Sequence, residues 1–92
     1  MMEDQSNEAV DAGIYEALRI VKPSLADEVL TPKTRFNTLS LQSIDMMTVV
    51  FEMEERFGVS IVDQQLDTFR TVEEARETVQ KLLHAKTSQP SV

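Results

Sequence analysis

The segment from Ser43 to Phe57 constrains the fold of this chain more than any other, because its apolar residues repeat at helical spacing. On a wheel of about 100° per residue, one group of apolar side chains falls on a single face. This core-facing group consists of Met46, Val49, Val50, Met53 and Phe57. Gly58 follows, where helices commonly end in a residue with left-handed backbone. The pattern therefore predicts an amphipathic α-helix from Ser43 to Phe57.

The same segment carries a second apolar stripe on roughly the opposite side of the helix. It consists of Ile44, Met47 and Phe51, and polar or acidic residues flank it, namely Asp45, Thr48, Glu54 and Glu55. A helix that is apolar on two sides is either buried on both, as in a larger bundle, or exposed on one. Because a chain of 92 residues can bury only a small core, we predict that this docking stripe is exposed and contacts partner proteins.

Helical spacing also predicts a helix before this segment. Ser6 or Asn7 is suited to cap its N-terminus, and Pro23 ends it by displacing the preceding residue from helical backbone. Its apolar stripe is Val10, Ile14, Ala17, Leu18 and Val21. The connection over residues 22–42 has no sustained period, and we expect a short turn at residues 26–29. We expect its apolar side chains to pin it across the bundle: Leu25, Val29, Leu30, Phe36 and Leu39.

Beyond Gly58, residues 59–62 are predicted to form a short extended connector. Asp63 is suited to cap a brief third helix that contributes Leu66 and Phe69 to the core. Thr71 and Glu74 have the spacing of a capping box, which predicts a fourth helix running to about His84. The residues expected to be buried on it are Val72, Ala75, Val79 and either Leu82 or Leu83.

Together these segments predict an all-α fold, a small four-helix bundle with a long first loop and a short third helix. We expect one domain over residues 6–84, a disordered tail over residues 1–5 and a flexible tail over residues 85–92. No stretch is apolar for long enough to span a bilayer. The sequence therefore predicts a soluble, cytoplasmic protein.

Composition excludes several classes of function. The net charge of −7 argues against nucleic acid as a partner and favours basic protein surfaces. The absence of cysteine removes disulfides and thiolate metal sites. The single histidine, His84, stands near a predicted helix end, where the helix dipole is a sufficient explanation for it. We predict no catalytic residue and no metal site, so that the chain is not an enzyme.

Ser43 places a hydroxyl at the predicted start of the helix, with no histidine nearby to activate it. A serine in this position most often caps the helix. Alternatively, the unsatisfied amides and the positive dipole end of the first turn favour an attached anion such as a phosphate. Both interpretations remain open from the residues alone, but this serine is better suited to carrying a group than to catalysis.

The residues around Ser43 closely resemble those of the acyl carrier protein family. That family has an Asp-Ser-Leu-Asp motif at the start of its second helix and a Glu-Glu-x-Phe-Gly pattern at its end. The corresponding residues here are Gln42-Ser43-Ile44-Asp45 and Glu54-Glu55-Arg56-Phe57-Gly58. The likeness continues through Ile61-Val62-Asp63 and Thr71-Val72-Glu73-Glu74-Ala75. It covers residues 39–83 clearly and the first helix more loosely.

This resemblance implies that a phosphopantetheinyl transferase attaches the 4′-phosphopantetheine arm of coenzyme A to Ser43. The arm would hold acyl or aminoacyl cargo as a thioester, with a cargo-loading ligase or acyltransferase and a downstream synthase or transferase as partners. It also implies a monomer that contacts its enzymes through apolar and acidic side chains of the second helix. The matching positions are Ile44, Asp45, Met47, Phe51, Glu54 and Glu55.

The chain departs from the family pattern near the expected attachment site. Gln42 stands where aspartate is usual, Thr48 replaces a frequent glutamate, and Val62 stands where proline is common. Gln64 and Gln65 occupy positions that are often acidic. A less acidic recognition face suggests a dedicated carrier for a specialised pathway rather than the main carrier of fatty acid biosynthesis.

A second hypothesis is an unmodified interaction module that keeps the fold and binds partners through the docking stripe. Substitution of Ser43 would then leave function intact, whereas a charge at Phe51 would abolish it. A carrier should fail with either change.

Overall fold

The protein is described by a computed structural model that defines residues 6–61 and 69–88. Within these residues the chain forms three α-helices, which are α1 (Asn7–Val21), α2 (Ser43–Phe57) and α3 (Val72–Ser88). Two short 3-10 turns, at Pro23–Asp27 and Phe36–Thr38, lie between α1 and α2. The all-α prediction is therefore confirmed.

Some predicted features lie outside the described residues. These are the brief third helix, with Asp63 and Leu66, the N-terminal tail over residues 1–5, and residues 89–92 of the C-terminal tail. Among the helices that the structure describes, none combines the length and the apolarity needed to cross a lipid bilayer.

The predicted start and end of α1 are confirmed. The Ser6 hydroxyl accepts a hydrogen bond from the Ala9 amide at 3.2 Å, and the helix ends at Val21, two residues before Pro23. Four of its predicted core residues are buried and Val21 is half-buried; the four are Val10, Ile14, Ala17 and Leu18. The face that periodicity selected is thus the face that packs against the other helices.

Helix α2 spans the predicted residues, and Gly58 ends it with left-handed backbone (φ 67°, ψ 37°). Three of its predicted core residues are buried, namely Val49, Val50 and Met53, while Met46 and Phe57 are half-buried. Gly13 of α1 allows α2 to approach closely, because a Cβ atom there would lie 2.6 Å from Cζ of Phe57.

The long connection after α1 is pinned to the bundle, as predicted, by four buried side chains: Leu25, Leu30, Phe36 and Leu39. Burial of Val29 was predicted and is wrong, since this residue is 86% exposed. The backbone at Glu28 is extended, and neighbouring side chains of an extended chain point to opposite sides. Burying Leu30 therefore turns Val29 outwards.

The turn in this connection occurs earlier than the predicted residues 26–29, because Pro23 occupies the first position of the 3-10 turn at Pro23–Asp27. Arg19 of α1 holds the turn in place. It donates from Nε to the Leu25 carbonyl at 3.3 Å and from Nη2 to the Glu28 carbonyl at 3.1 Å.

Helix α3 starts at the predicted capping box. The Glu74 amide donates to Oγ1 of Thr71 at 3.2 Å, and the Thr71 amide donates to Oε1 of Glu74 at 3.1 Å. The residues buried on α3 include Val72, Ala75, Val79 and Leu83, with Leu82 half-buried. The helix continues to Ser88 rather than ending near His84, because no helix-breaking residue occurs before Pro90.

Three backbone hydrogen bonds join the long connection to the start of α3, one of them from the Glu73 amide to the Pro32 carbonyl at 2.9 Å. The Phe36 amide donates to the Arg70 carbonyl at 2.9 Å, and the Val72 amide donates to the Thr34 carbonyl at 3.1 Å. The Phe36 and Phe69 rings pack with their centroids 6.4 Å apart. Residues that precede α2 and residues that follow it in the sequence thus meet beside the start of this helix.

A buried ion pair joins α1 to α3. Arg76 donates from Nη1 to Oδ2 of Asp11 at 3.0 Å, and the two side chains are only 10% and 8% exposed. Glu73 lies 3.5 Å from Nη2 of Arg76.

Burial raises the pKa of Tyr15 from its ordinary value, and the negative charge of Asp11 raises it further. The positive charges of Arg76 and Arg19 act in the opposite direction and lower this pKa.

Candidate functional site

Ser43 is the first residue of α2, and Gln42, not Ser43, caps the helix. The Gln42 carbonyl accepts from the Met46 amide at 3.0 Å, and the Gln42 amide donates to Oδ2 of Asp45 at 3.0 Å. Ser43 is exposed, and its hydroxyl makes no hydrogen bond with the described part of the chain. The interpretation of Ser43 as a simple cap is therefore wrong.

The glutamine in place of the usual aspartate at position 42 does not leave the helix uncapped. Asp45, in the first turn, supplies the carboxylate that satisfies the Gln42 amide and also lies favourably near the positive end of the helix dipole. The substitution removes a negative charge beside Ser43, but the local backbone is still held by a charge-assisted hydrogen bond.

Lys22 anchors the chain immediately before this site. Its ammonium group donates to the Leu39 carbonyl at 2.8 Å and to the Ser40 carbonyl at 3.0 Å. Ser40 has left-handed backbone, with φ at 57°, and such backbone is unfavourable for a residue other than glycine. The two hydrogen bonds from Lys22 offset this cost and fix the segment that leads into Ser43.

Lys22→Met is expected to accelerate amide hydrogen exchange of residues 40–43 about tenfold. The variant would lose two charge-assisted hydrogen bonds at a half-buried position. A tenfold faster exchange corresponds to a decrease of about 1.4 kcal/mol in the free energy of local opening. Exchange followed by NMR measures the effect, with Lys81→Met, on the exposed surface of α3, as the matched control. Unchanged exchange in residues 40–43 would mean that burial of Leu39, not the ammonium group, holds the segment.

A pocket of about 430 Å³ opens beside Ser43. Its lining combines polar groups at the start of α2 with apolar side chains from three parts of the chain: Phe36, Asn37, Leu41, Gln42, Ser43, Met46, Met47 and Phe69. Ligand pockets commonly pair an apolar lining with a few polar groups in this way. A group attached to the Ser43 hydroxyl would have this pocket directly beside it.

The docking stripe is exposed, as predicted. Ile44 and Met47 are each 68% exposed and Phe51 is 60% exposed. Large apolar side chains gathered on one face of a helix are typical of an interaction surface.

The acidic residues beside the stripe differ in how they are used within the chain. Glu54 accepts a hydrogen bond at Oε2 from the Ile61 amide, at 2.7 Å, and so holds the connector that follows α2. Asp45 accepts at Oδ2 from the Gln42 amide, as described above, while Glu55 is exposed. Thr48 donates its hydroxyl to the Ile44 carbonyl at 2.9 Å. Contact of Asp45, Glu54 and Glu55 with partner enzymes stays a prediction.

The arrangement is suited to carrying a group. Ser43 combines an exposed hydroxyl with the dipole end of a helix, which favours an anionic attachment. His84 lines a different pocket on α3, with Glu77 and Lys81, rather than the pocket beside Ser43. Among the described residues that line the pocket beside Ser43, none is a histidine, and we expect a partner enzyme to activate the hydroxyl as a nucleophile.

Sequence reasoning missed Lys22 and Asn37, which belong to the surroundings of Ser43. Lys22 stands directly before Pro23, at the end of a predicted helix, and this position was a usable signal because basic side chains there commonly bind free carbonyls. Asn37 carried no such signal, since its place in the pocket depends on how the long connection folds.

Comparisons with known proteins agree on one family. The family model for the phosphopantetheine attachment site matches residues 16–86. Acyl carrier protein 1, chloroplastic, of Casuarina glauca is 32% identical over 76 residues, which are 79% of this chain and 56% of the relative. Acyl carrier protein 5, chloroplastic, of Arabidopsis thaliana is 32% identical over 78 residues, which are 82% of this chain and 56% of that relative. The chain thus spans little more than half the length of these curated relatives.

Proposed function

Because the chain belongs to the acyl carrier protein family, whose members are non-catalytic carriers of phosphopantetheine, we propose that Ser43 bears the 4′-phosphopantetheine arm. A phosphopantetheinyl transferase would join the Ser43 oxygen to the arm's phosphate from coenzyme A, releasing adenosine 3′,5′-bisphosphate. The bound arm supplies a terminal thiol that holds acyl cargo as a thioester, which is chemistry that a chain without cysteine cannot provide itself.

The observation that carries this proposal is the Ser43 hydroxyl, exposed and without a hydrogen-bond partner among the described residues at the first position of α2. The first-turn amides and the dipole of α2 would face the phosphodiester, and the pocket beside Ser43 has room for part of an attached group. These features fit an attached phosphate and give the hydroxyl no structural task of its own.

The docking stripe is the surface through which the carrier would present its cargo. The transferase, a loading ligase or acyltransferase and a downstream synthase or transferase would each cover Ile44, Met47 and Phe51. Basic residues of these enzymes would meet the flanking carboxylates and accelerate the encounter, an effect that salt weakens.

We further propose a dedicated role in a specialised pathway. Its support is the reduced negative charge near the site, where Gln42 and Thr48 replace acidic residues usual in the family. A holo form that serves the general elongation enzymes and no dedicated partner would contradict this role. The cytoplasmic location stays a prediction, since the named relatives are chloroplastic proteins.

Incubation with coenzyme A and a broad-specificity phosphopantetheinyl transferase tests the main proposal. The intact mass of the wild type is expected to increase by one phosphopantetheine arm, whereas Ser43→Ala should show no increase. Ser40→Ala provides a matched control, because it removes a nearby exposed hydroxyl and should leave loading intact.

No mass gain with several transferases would contradict the proposal and would direct attention to Gln42 as a cause. It would favour the unmodified interaction module, for which the 60–68% exposure of the docking stripe is the supporting observation.

A further inference from the structure

A second pocket, of about 290 Å³, adjoins the pocket beside Ser43. It is lined by Arg35, Asn37, Phe69 and Arg70, and two of these residues, Asn37 and Phe69, also line the Ser43 pocket. The two pockets are therefore neighbours, with Ser43 on the lining of one and the two arginines on the lining of the other.

Among the described residues, the guanidinium groups of the two arginines of this pocket have no partner, unlike those of the other three arginines. Arg56 forms an ion pair with Glu16 at 3.1 Å, Arg76 pairs with Asp11, and Arg19 binds backbone carbonyls. Arg35 and Arg70 are exposed, and their guanidinium groups have no partner among the described residues. In a chain with a net charge of −7, two cations that lack a partner in the described part of the chain and line one pocket are a specific feature.

The backbone fixes the two arginines beside each other. Arg35 forms a bridge with Thr71, and the Arg70 carbonyl accepts from the Phe36 amide. Glu74 is close, but its Oε1 already accepts from the Arg70 and Thr71 amides at 2.9 and 3.1 Å. Two like charges held around one concave surface repel each other unless an anion lies between them.

Building on the proposed function, we propose that Arg35 and Arg70 bind the terminal carboxylate of an acyl group held as a thioester on the phosphopantetheine arm of Ser43. The cargo class is then the half-thioester of a dicarboxylic acid. Its methylene groups lie against Met46, Met47 and the Phe36–Phe69 pair, and its free carboxylate lies between the guanidinium groups. Guanidinium groups match the geometry of a carboxylate.

Because the cargo is attached to the same chain, ion pairs with two exposed arginines are sufficient to hold its carboxylate. A tethered carboxylate has a high effective concentration at the pocket, so that weak ion pairs are populated without a high intrinsic affinity. An acidic surface of a partner protein would also be attracted to the two arginines, but it would have no reason to depend on the end group of the cargo.

The test compares two cargoes of equal chain length, adipoyl and hexanoyl, each loaded from its coenzyme A thioester by the transferase. The enzyme joins the Ser43 oxygen to the phosphate of the acyl-phosphopantetheine arm and releases adenosine 3′,5′-bisphosphate, so that the thioester stays intact. The free carboxyl of the adipoyl group carries ¹³C, and its pKa is measured by NMR in the wild type and in the Arg35→Gln/Arg70→Gln double variant. In the wild type this pKa is expected to be lower than in the double variant by about 0.5 to 1, because two nearby cations stabilise the carboxylate. Amide shifts of Asn37 and Phe69 should respond more to adipoyl than to hexanoyl.

Lys33→Gln is the matched control, because Lys33 is an exposed neighbouring cation that pairs with Glu73 and does not line the pocket. It should leave the carboxyl pKa as in the wild type. Each of three outcomes would overturn the inference but not the proposed function. They are a pKa change in Lys33→Gln equal to that in the double variant, a pKa in the double variant equal to that of the wild type, and equal amide shifts for the two cargoes. Failure to load Ser43 at all would overturn the proposed function and the inference with it.

Discussion

Asp11→Ala is expected to lower the free energy of unfolding by about 3–5 kcal/mol, which is the typical cost of removing one partner from a buried ion pair. Arg76 would keep its charge while only 10% exposed and would lose the 3.0 Å contact to Asp11. Because small domains have only about 5–15 kcal/mol of stability in total, this change removes much of it. Urea denaturation followed by circular dichroism measures the loss.

Two further variants separate the charge from the packing. The double variant Asp11→Leu/Arg76→Met should recover most of the stability, because apolar side chains of similar volume replace buried pairs well. Atoms Oδ1 of Asp11 and Nε of Arg76 are buried without a hydrogen-bond partner among the described residues, so the pair is incompletely satisfied. Lys33→Ala, which removes the exposed pair with Glu73, should cost less than about 1 kcal/mol. A loss below about 1 kcal/mol for Asp11→Ala would show that water reaches the Arg76 guanidinium.

The helices were predictable because their signals are local. For α2, the apolar period and the glycine at position 58 define the same limits, and the structure has those limits. For α3, the capping box fixes the start, whereas the end was placed too early at His84. A gradual loss of apolar residues does not stop a helix, so the polar composition of residues 85–88 was a misleading signal.

The contacts that join distant segments were not predictable from one sequence. Asp11 and Arg76 are 65 residues apart, and charged residues on amphipathic helices are usually assigned to the solvent side. Their pairing depends on the angle and register at which α1 packs on α3. The hydrogen bonds from Lys22 to the Leu39 and Ser40 carbonyls depend in the same way on the path of the long connection.

At the candidate site, the sequence predicted the position of Ser43 at a helix start and the exposure of the docking stripe, but not their surroundings. The motif places Ser43 at the start of a helix, and the period of α2 separates Ile44, Met47 and Phe51 from the core. The pocket, by contrast, is assembled from α2, the long connection and Phe69. Its shape follows from the Phe36–Phe69 contact, which no short motif encodes.

Phe51→Glu is expected to reduce kcat/KM for loading by a phosphopantetheinyl transferase by about 30-fold or more. A large apolar side chain near the centre of an interface commonly contributes about 2 kcal/mol, which corresponds to this factor. Phe51 is 60% exposed in the free protein, so the substitution should change the free energy of unfolding by no more than about 0.5 kcal/mol. Transferase kinetics and urea denaturation of the same variant measure the two effects separately.

Ile20→Glu is the matched control for this prediction, because Ile20 is 53% exposed but lies on α1. It adds the same charge and removes a similar apolar surface away from the docking stripe, so loading should stay within about twofold of the wild type. Equal losses in both variants would show that general charge, not the stripe, governs the encounter. No loss for Phe51→Glu would remove the stripe as the docking surface.

An assay of the downstream pathway distinguishes the two proposed functions. A carrier fails with either Ser43→Ala or Phe51→Glu, whereas an unmodified interaction module fails only with Phe51→Glu.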